Sequence, residues 1–280
     1  MAITTTVLTG ATTGIGEATA FALAAKGHTL YLLVRNVQKG NALKQELLKE
    51  TGNKNIFIIY CDLADLQSIT NAADELHGKL FNINVLINNA GGMFNDFILS
   101  KDGFEMTFAL NHLGHFLLTK RLMPLLERGH ARIINVSSDM HKMGKPGFDQ
   151  LQTPDSYSAM KAYGNSKLFN IYFTKSLAER YAKKGVTAYA LHPGVVKTQF
   201  NSKLTGRLKL FFSLATPFMI TAEKGAETSV YLATESKLDS KSGQYFIKKK
   251  VAKPAAIADD LDARNRLWEL SEELVKNFDV

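Results

Sequence analysis

Thr4-Thr5-Thr6-Val7-Leu8-Thr9-Gly10-Ala11-Thr12-Thr13-Gly14-Ile15-Gly16-Glu17 is the stretch on which the reading of the whole chain turns. Ile3 to Thr9 is short, β-branched and apolar towards its end, which predicts a buried strand. An alanine-rich run from Glu17 to Lys26 predicts a helix, with Gly27 as its stop. Between them lies Gly-x-x-x-Gly-x-Gly, formed by Gly10, Gly14 and Gly16 with Thr12, Thr13 and Ile15. Strand, glycine-rich turn and helix together present backbone N–H groups and a positive dipole end, which suits a phosphate. The spacing differs from Gly-x-Gly-x-x-Gly. The mechanics are the same: glycines allow a tight turn and the close approach of a pyrophosphate.

Working outward, strands and helices alternate to the end of the chain. Strands are expected at Thr29 to Val34, Asn55 to Cys61, Asn84 to Asn88, Ala131 to Val136, Val186 to Leu191 and Gln244 to Ile247. Helices are expected at Val37 to Glu50, Leu66 to Leu80, Phe104 to Leu126, about Ser156 to Lys184, Ala222 to Thr234 and Asp260 to Phe278. The last carries the single tryptophan, Trp268, read as core. This order predicts an α/β fold: one doubly wound, Rossmann-like parallel sheet of about seven strands, with helices on both faces and ligands at the carboxyl ends of the strands. Gly10, Arg35, Asp62, Asn89, Ser138 and Pro193 all fall just after strands. No composition shift or repeat divides the chain, so residues 1–280 read as one domain.

The composition narrows the classes. With 45% hydrophobic and 21% charged residues, the chain has the balance of a globular protein rather than a disordered one. One cysteine, Cys61, excludes an intrachain disulfide and a cysteine-rich metal site, and suits a reducing compartment. No secretory signal and no run of roughly 20 apolar residues is visible, so a cytoplasmic location without a transmembrane segment is expected. The net charge of +8 gathers at Lys203, Arg207 and Lys209 and at Lys248-Lys249-Lys250 and Lys253, which reads as solvated surface. No RNP pattern, zinc finger or basic arm points to nucleic acid. The histidines, including His112, His115, His141 and His192, lack metal-ligand spacing and read as structural or surface residues; no metal is expected.

Tyr-x-x-x-Lys occurs twice, at Tyr157/Lys161 and at Tyr163/Lys167. Residues four apart share a helix face. An ammonium beside a phenol favours the phenolate, lowering the tyrosine pKa from about 10 and making a usable acid/base. At roughly 100° per residue the two tyrosines diverge by about 120°, so both pairs cannot serve one site. Tyr157 falls near the expected helix start, after Pro154, and Tyr163 about two turns in. A helix that begins later would instead leave Tyr157 in a loop, as a substrate contact. Asn111 stands among Ala109, Leu110, Leu113 and Phe116, which predicts a specific hydrogen bond rather than exposure to solvent. Arg35, with Asn36 and Lys39, ends the second strand with basic character where an acidic residue would hold a ribose 2′-OH. That favours a 2′-phosphate, hence NADP(H) over NAD(H).

Thr9-Gly10-x-x-x-Gly14-Ile15-Gly16, Asp62-Leu63, Asn88-Asn89-Ala90-Gly91, Asn111, Ser138, Tyr163-x-x-Ser166-Lys167 and Pro193-Gly194-x-Val196-x-Thr198 together resemble the short-chain dehydrogenase/reductase family, in order and over nearly the whole chain. The Arg35 tip and His192-Pro193-Gly194-Val195-Val196-Lys197-Thr198 look like its retinol-dehydrogenase-like NADP(H) branch. The resemblance selects the second pair, because Ser166 supplies the small residue before the lysine. It implies an oxidoreductase interconverting an aldehyde or ketone and an alcohol, with Tyr163 as general acid/base and Lys167 lowering its pKa and holding the nicotinamide ribose. Ser138 would hold the substrate oxygen and Asn111 would orient a water. Asp62 would contact the adenine, Asn89, Ala90 and Gly91 would line the nucleoside and Thr198 would bind the carboxamide, with Leu63, Pro193, Gly194 and Val196 as further cofactor contacts. The alternative is a catalytically silent nucleotide sensor or scaffold on the same fold. Substrate contacts are expected in Gly92 to Leu99, Asp139 to Asp155 and Gln199 to Ile220. The apolar run Leu204 to Ile220 reads as a flap over an apolar pocket, as core or homo-oligomer packing, or as a peripheral membrane contact.

Overall fold

A run that is apolar at successive positions has to be covered on both sides, and this requirement sets the layers. Val7, Leu86 and Ile133 enter one core; their neighbours Leu8, Ile87 and Ile134 enter the other. The computed structural model describes residues 4–148, 151–196 and 219–279. Its sheet has eight strands: β1 (Thr5–Thr9), β2 (Thr29–Val34), β3 (Ile56–Tyr60), β4 (Val85–Asn88), β5 (Arg132–Val136), β6 (Thr187–His192), β7 (Tyr245–Ile247) and β8 (Lys250–Ala252). Their order is β3-β2-β1-β4-β5-β6-β7-β8. All neighbours pair in parallel except β7 and β8.

One face carries α1 (Gly14–Ala25) and α2 (Val37–Thr51), with α7 (Ala222–Thr234) beside α1. The other carries α3 (Leu66–Lys79), α5 (Gly114–Arg128), α6 (Ala159–Tyr181) and α8 (Leu261–Val275). Trp268 on α8 packs edge-on to Phe116, 5.1 Å between ring centres, under the Arg180 guanidinium. It is a core residue, as expected.

Three local features depart from the sequence reading. The helix expected from Phe104 to Leu126 is broken into α4 (Met106–Phe108), a π-turn over Ala109–Leu113, and α5. The π-turn holds Asn111. The helix expected from about Ser156 begins at Ala159, capped by the Ser158 side chain. Tyr157 therefore precedes the helix, and the 120° argument does not govern it. The strand β8 was not foreseen: it turns back after Lys248 and Lys249, both at positive φ (50° and 65°). Such a two-residue turn ordinarily uses Asn and Gly, so the lysines carry no hairpin signal. Within Leu204 to Ile220, only Met219 and Ile220 are among the described residues; Ile220 bridges to Val196. Lys203, Arg207 and Lys209 lie outside the described residues. Among the described residues no helix is long and apolar enough to cross a membrane.

Two buried histidines on the Asn111 segment make folding sensitive to acid. Burial holds His112 down to about 3 and His115 to about 4. In the unfolded chain both titrate near 6.5. The unfolded state therefore binds more protons between these values, and stability falls as pH drops below about 6.5. Each histidine contributes a slope of about 1.4 kcal/mol per pH unit in that window. Urea unfolding between pH 7.5 and 5 should show this loss, and His112→Leu should flatten it by one histidine's share. An unfolding free energy equally pH-dependent in that variant would contradict the assignment.

Candidate active site

Parallel register brings the carboxyl ends of β1, β4, β5 and β6 to one edge. The strand order reverses between β1 and β4, and the first crevice opens there. Gly10 and Gly14 turn the chain at positive φ (69° and 58°), and a Cβ on Gly16 would stand 2.1 Å from the Gly10 carbonyl oxygen. No larger residue could close this turn against its helix. Thr13 occupies the N-cap of α1 without a side-chain capping bond, so its hydroxyl does not close the helix end. Thr12 is half-buried and Thr13 exposed. Ile15 and Val196 both reach Gly225 of α7, which sets the Pro193-Gly194 turn beside the glycine-rich turn.

The β4 end is tied across the crevice. The Asn89 side-chain amide donates to the carbonyls of Thr9 and Gly10 (2.9 and 3.2 Å), and the N–H groups of Asn89 and Ala90 donate to the Thr9 hydroxyl. Asn89 thus braces the turn itself. At the β2 end, Arg35, Asn36 and Lys39 are exposed; the Asn36 side chain caps α2 by accepting from Lys39 N–H. Past β3, Asp62 Oδ1 accepts from Ala64 N–H and Leu63 is buried against Gly114.

The polar centre lies where β5, α6 and the π-turn meet. The Tyr163 phenol lies beside the Ser138 side chain, whose hydroxyl favours its ionised form. Lys167, buried four residues further along α6, holds its ammonium 5.4 Å from the Tyr163 ring centre and donates to the Val136 carbonyl at 3.1 Å. Ser137 points the other way and donates to the Lys167 carbonyl at 2.6 Å. Burial pushes the Tyr163 phenol up to about 12, with the Ser138 hydroxyl pulling it back, and pushes Lys167 down to about 8. The sequence reading expected Lys167 to lower the phenol. In the protein alone desolvation wins on both groups, and Tyr163 stands protonated at neutral pH.

Asn111 is fully buried and both ends of its amide are bonded. Nδ2 donates to the Gly92 carbonyl and to Ser166 Oγ (both 2.9 Å), and Oδ1 accepts from Gly92 N–H at 2.7 Å. The expected specific hydrogen bond exists: the side chain ties the loop after β4 to α6. Ser166 passes the contact on by donating to the Tyr163 carbonyl at 2.8 Å. Gly91 faces Asn111 Oδ1 and Lys167 Nζ.

Tyr157 sits at the rim. Its hydroxyl donates to the Phe94 carbonyl at 2.8 Å, near the buried carboxylate of Glu105, and its ring lies edge-on to Phe97. With Met93, Ala159, Met160 and Tyr163 it forms a small apolar cluster. The first Tyr-x-x-x-Lys pair is thus a tyrosine at a loop and a separate, exposed Lys161. Sequence reasoning gave no role to Glu105, and it took His115 for an ordinary structural or surface histidine. The signal for both was available only as polar residues inside apolar runs. Thr198 lies outside the described residues.

Comparison with known proteins agrees with this geometry. A family described as short chain dehydrogenase matches residues 4–208. Retinol dehydrogenase 12 of Mus musculus is 41% identical over 272 residues, covering 96% of this chain and 85% of the relative. An uncharacterized protein from Mycobacterium Paratuberculosis has a TM-score of 0.78 at 32% identity, covering 98% of this chain and 93% of that one. An NADPH-bound carbonyl reductase from chicken fatty liver, at 23% identity and a TM-score of 0.68 over 90% of this chain and 99% of its own, shares the fold. The turn at Gly10, the Tyr163–Ser138 pair and the extent of these matches lead to one conclusion: this chain is an oxidoreductase of the short-chain dehydrogenase family, on its retinol-dehydrogenase-like side.

Proposed function

We propose that residues 1–280 work as one NADP(H)-dependent domain that interconverts an apolar aldehyde or ketone and its alcohol. The observation that carries this reading is the buried Lys167 ammonium 5.4 Å from the Tyr163 ring centre, with Ser138 beside the phenol, next to a glycine-rich crevice. The residues fit a dinucleotide: the turn is too tight for a Cβ at Gly16, and the α1 N-cap lacks a side-chain cap. Gly10, Thr12, Thr13, Gly14, Ile15 and Gly16 would hold the pyrophosphate, Arg35, Asn36 and Lys39 the 2′-phosphate, and Asp62 and Leu63 the adenine. Asn89, Ala90 and Gly91 would line the nucleoside, Lys167 the ribose, and Pro193, Gly194, Val196 and Thr198 the carboxamide. When bound, the nicotinamide supplies or accepts the hydride.

Ser138 orients the substrate oxygen, and Tyr163 delivers its phenolic proton to that oxygen in reduction. A phenol held at about 12 keeps that proton until the oxygen demands it. Lys167, held near 8, remains largely an ammonium at neutral pH and stabilises the phenolate left behind. Asn111 fixes Gly92 and Ser166, and through Ser166 the backbone of Tyr163. Met93, Tyr157 and Met160 favour an apolar substrate. An NADPH-dependent reductase and two reductases with NADPH bound share the fold, which supports the cofactor class. We infer a cytoplasmic setting, where the buried Cys61 thiol, held up to about 12, stays inert.

Direct titration should show NADPH bound more tightly than NADH, by roughly tenfold to a hundredfold for a charge-assisted contact at Arg35. Arg35→Asp should reverse the order; a wild type that prefers NADH overturns the cofactor assignment. In single-turnover hydride transfer with a panel of carbonyls, Tyr163→Phe should lose about 10²–10⁴-fold while cofactor still binds. Lys167→Met should weaken both turnover and cofactor affinity. Hydride transfer at the wild-type rate in Tyr163→Phe would remove this tyrosine from the chemistry. Tyr157→Phe frees the Phe94 carbonyl, so KM should rise several-fold with the chemical step intact. An unchanged KM would show that the rim bond does not shape the pocket.

A further inference from the structure

His115 lies outside the proposed chemistry, is almost fully buried, and touches both halves of the site. Its Nδ1 is 3.2 Å from the backbone carbonyl of Asn111, and its Nε2 is 3.0 Å from the Thr9 hydroxyl. The hydrogen positions follow from what each partner can do. A carbonyl only accepts, so Nδ1 carries the proton and donates to Asn111. The Thr9 hydroxyl already accepts from the N–H groups of Asn89 (2.9 Å) and Ala90 (3.0 Å), which fills its two lone pairs. Its own proton must go out, and Nε2 at 3.0 Å is a better acceptor than the Ile87 carbonyl at 3.4 Å. A second ring proton would leave Thr9 facing three donors with two lone pairs.

We propose that His115 is a positioning residue, fixed as the neutral Nδ1–H tautomer, which locks the Asn111 carbonyl on one side and the Thr9-Asn89-Ala90 turn on the other. It joins the π-turn carrying Asn111 to the crevice at β1 and β4. In a π-turn the ladder of backbone bonds is disturbed, and a side chain four residues on takes up the carbonyl. By burial first, with the Lys167 ammonium adding to it, the ring is held down to about 4, consistent with one proton at neutral pH. Through Thr9, the ring also sets the hydroxyl that aligns the Asn89 and Ala90 amides.

The inference rests on the dinucleotide reading of the crevice, and the experiment separates the two. Ring-nitrogen NMR of the wild-type chain, with histidine labelled in ¹⁵N, should show His115 as the Nδ1–H tautomer, neutral from pH 8 to 5.5. An Nε2–H tautomer, or titration near 6.5, overturns the proposal whatever the chain binds. Two variants divide the contacts. Asn places its amide nitrogen at the Nδ1 position, and Gln places its terminal group at Nε2. His115→Asn keeps the Asn111 contact and frees Thr9, so the dissociation constant for NADPH, read by calorimetry, should rise about tenfold with a smaller change in kcat. His115→Gln keeps the Thr9 contact and frees the Asn111 carbonyl, so kcat should fall about tenfold with NADPH binding nearly unchanged. His112→Leu, on the same segment but bonded to Ser271, should lower thermal stability and leave both constants as in the wild type. If both His115 variants behave like His112→Leu, the residue is structural only and the proposal fails. If the wild type binds no nicotinamide nucleotide, the functional reading fails while the tautomer result still decides the His115 geometry. The wild-type NMR also decides it should a variant fail to fold.

Discussion

β1 and β4 are distant in sequence yet pair in parallel, Leu8 against Ile87, and the site depends on that contact. Strands on either side continue in opposite directions across the sheet, so the loops after β1 and β4 diverge and leave a crevice. The Thr9 hydroxyl and the Asn89 amide then close the distance between the two strand ends. Every contact in this clasp is a buried or half-buried polar group with a partner. Leaving one unmade would cost about 1–3 kcal/mol. The glycine-rich turn is therefore held from the β4 side as well as by its own backbone.

A second clasp brings the proton-handling residues to the crevice. Asn111 takes both backbone groups of Gly92 and the hydroxyl of Ser166, linking the β4 loop to α6. The π-turn is what aims this side chain at both. A regular helix would rotate the residues beyond it by a fraction of a turn and change which of them face β1. His112 and His115 then enter two separate environments, Ser271 on α8 and Thr9 on β1.

Burial acts on Tyr163 and Lys167 in opposite directions on the pKa scale, raising the phenol and lowering the ammonium. Both shifts disfavour charge in the same desolvated volume. Each group thus moves away from the ionised form that would pay the larger solvation penalty. The pair is arranged so that charge created on the phenol finds an ammonium nearby instead of water.

Much of this was legible in the sequence because it rests on periodicity and turn chemistry. Continuous apolar runs announced strands covered on both faces, Gly10-x-x-x-Gly14-x-Gly16 announced the tight turn, and the alternation of elements announced the parallel sheet. That Ser138, Asn111, Tyr163 and Lys167 share one site was implied by the resemblance to the short-chain dehydrogenase/reductase family, since helix spacing alone left both Tyr-x-x-x-Lys pairs open. Three things were decided only by tertiary structure. Ser158 rather than an earlier residue caps α6, because Tyr157 is drawn to Phe94 and Glu105 across the rim. The β8 hairpin forms through Lys248 and Lys249 because pairing with β7 offsets the cost of positive φ, which no local preference of lysine would suggest. The π-turn, and with it the joint engagement of Asn111 and His115, depends on partners from β1, β4 and α6 that are far away in the chain. Local sequence encodes most of the elements, β8 and the π-turn being the exceptions. Which polar atoms meet is set by long-range packing, since a buried group must find its partner wherever the fold supplies one.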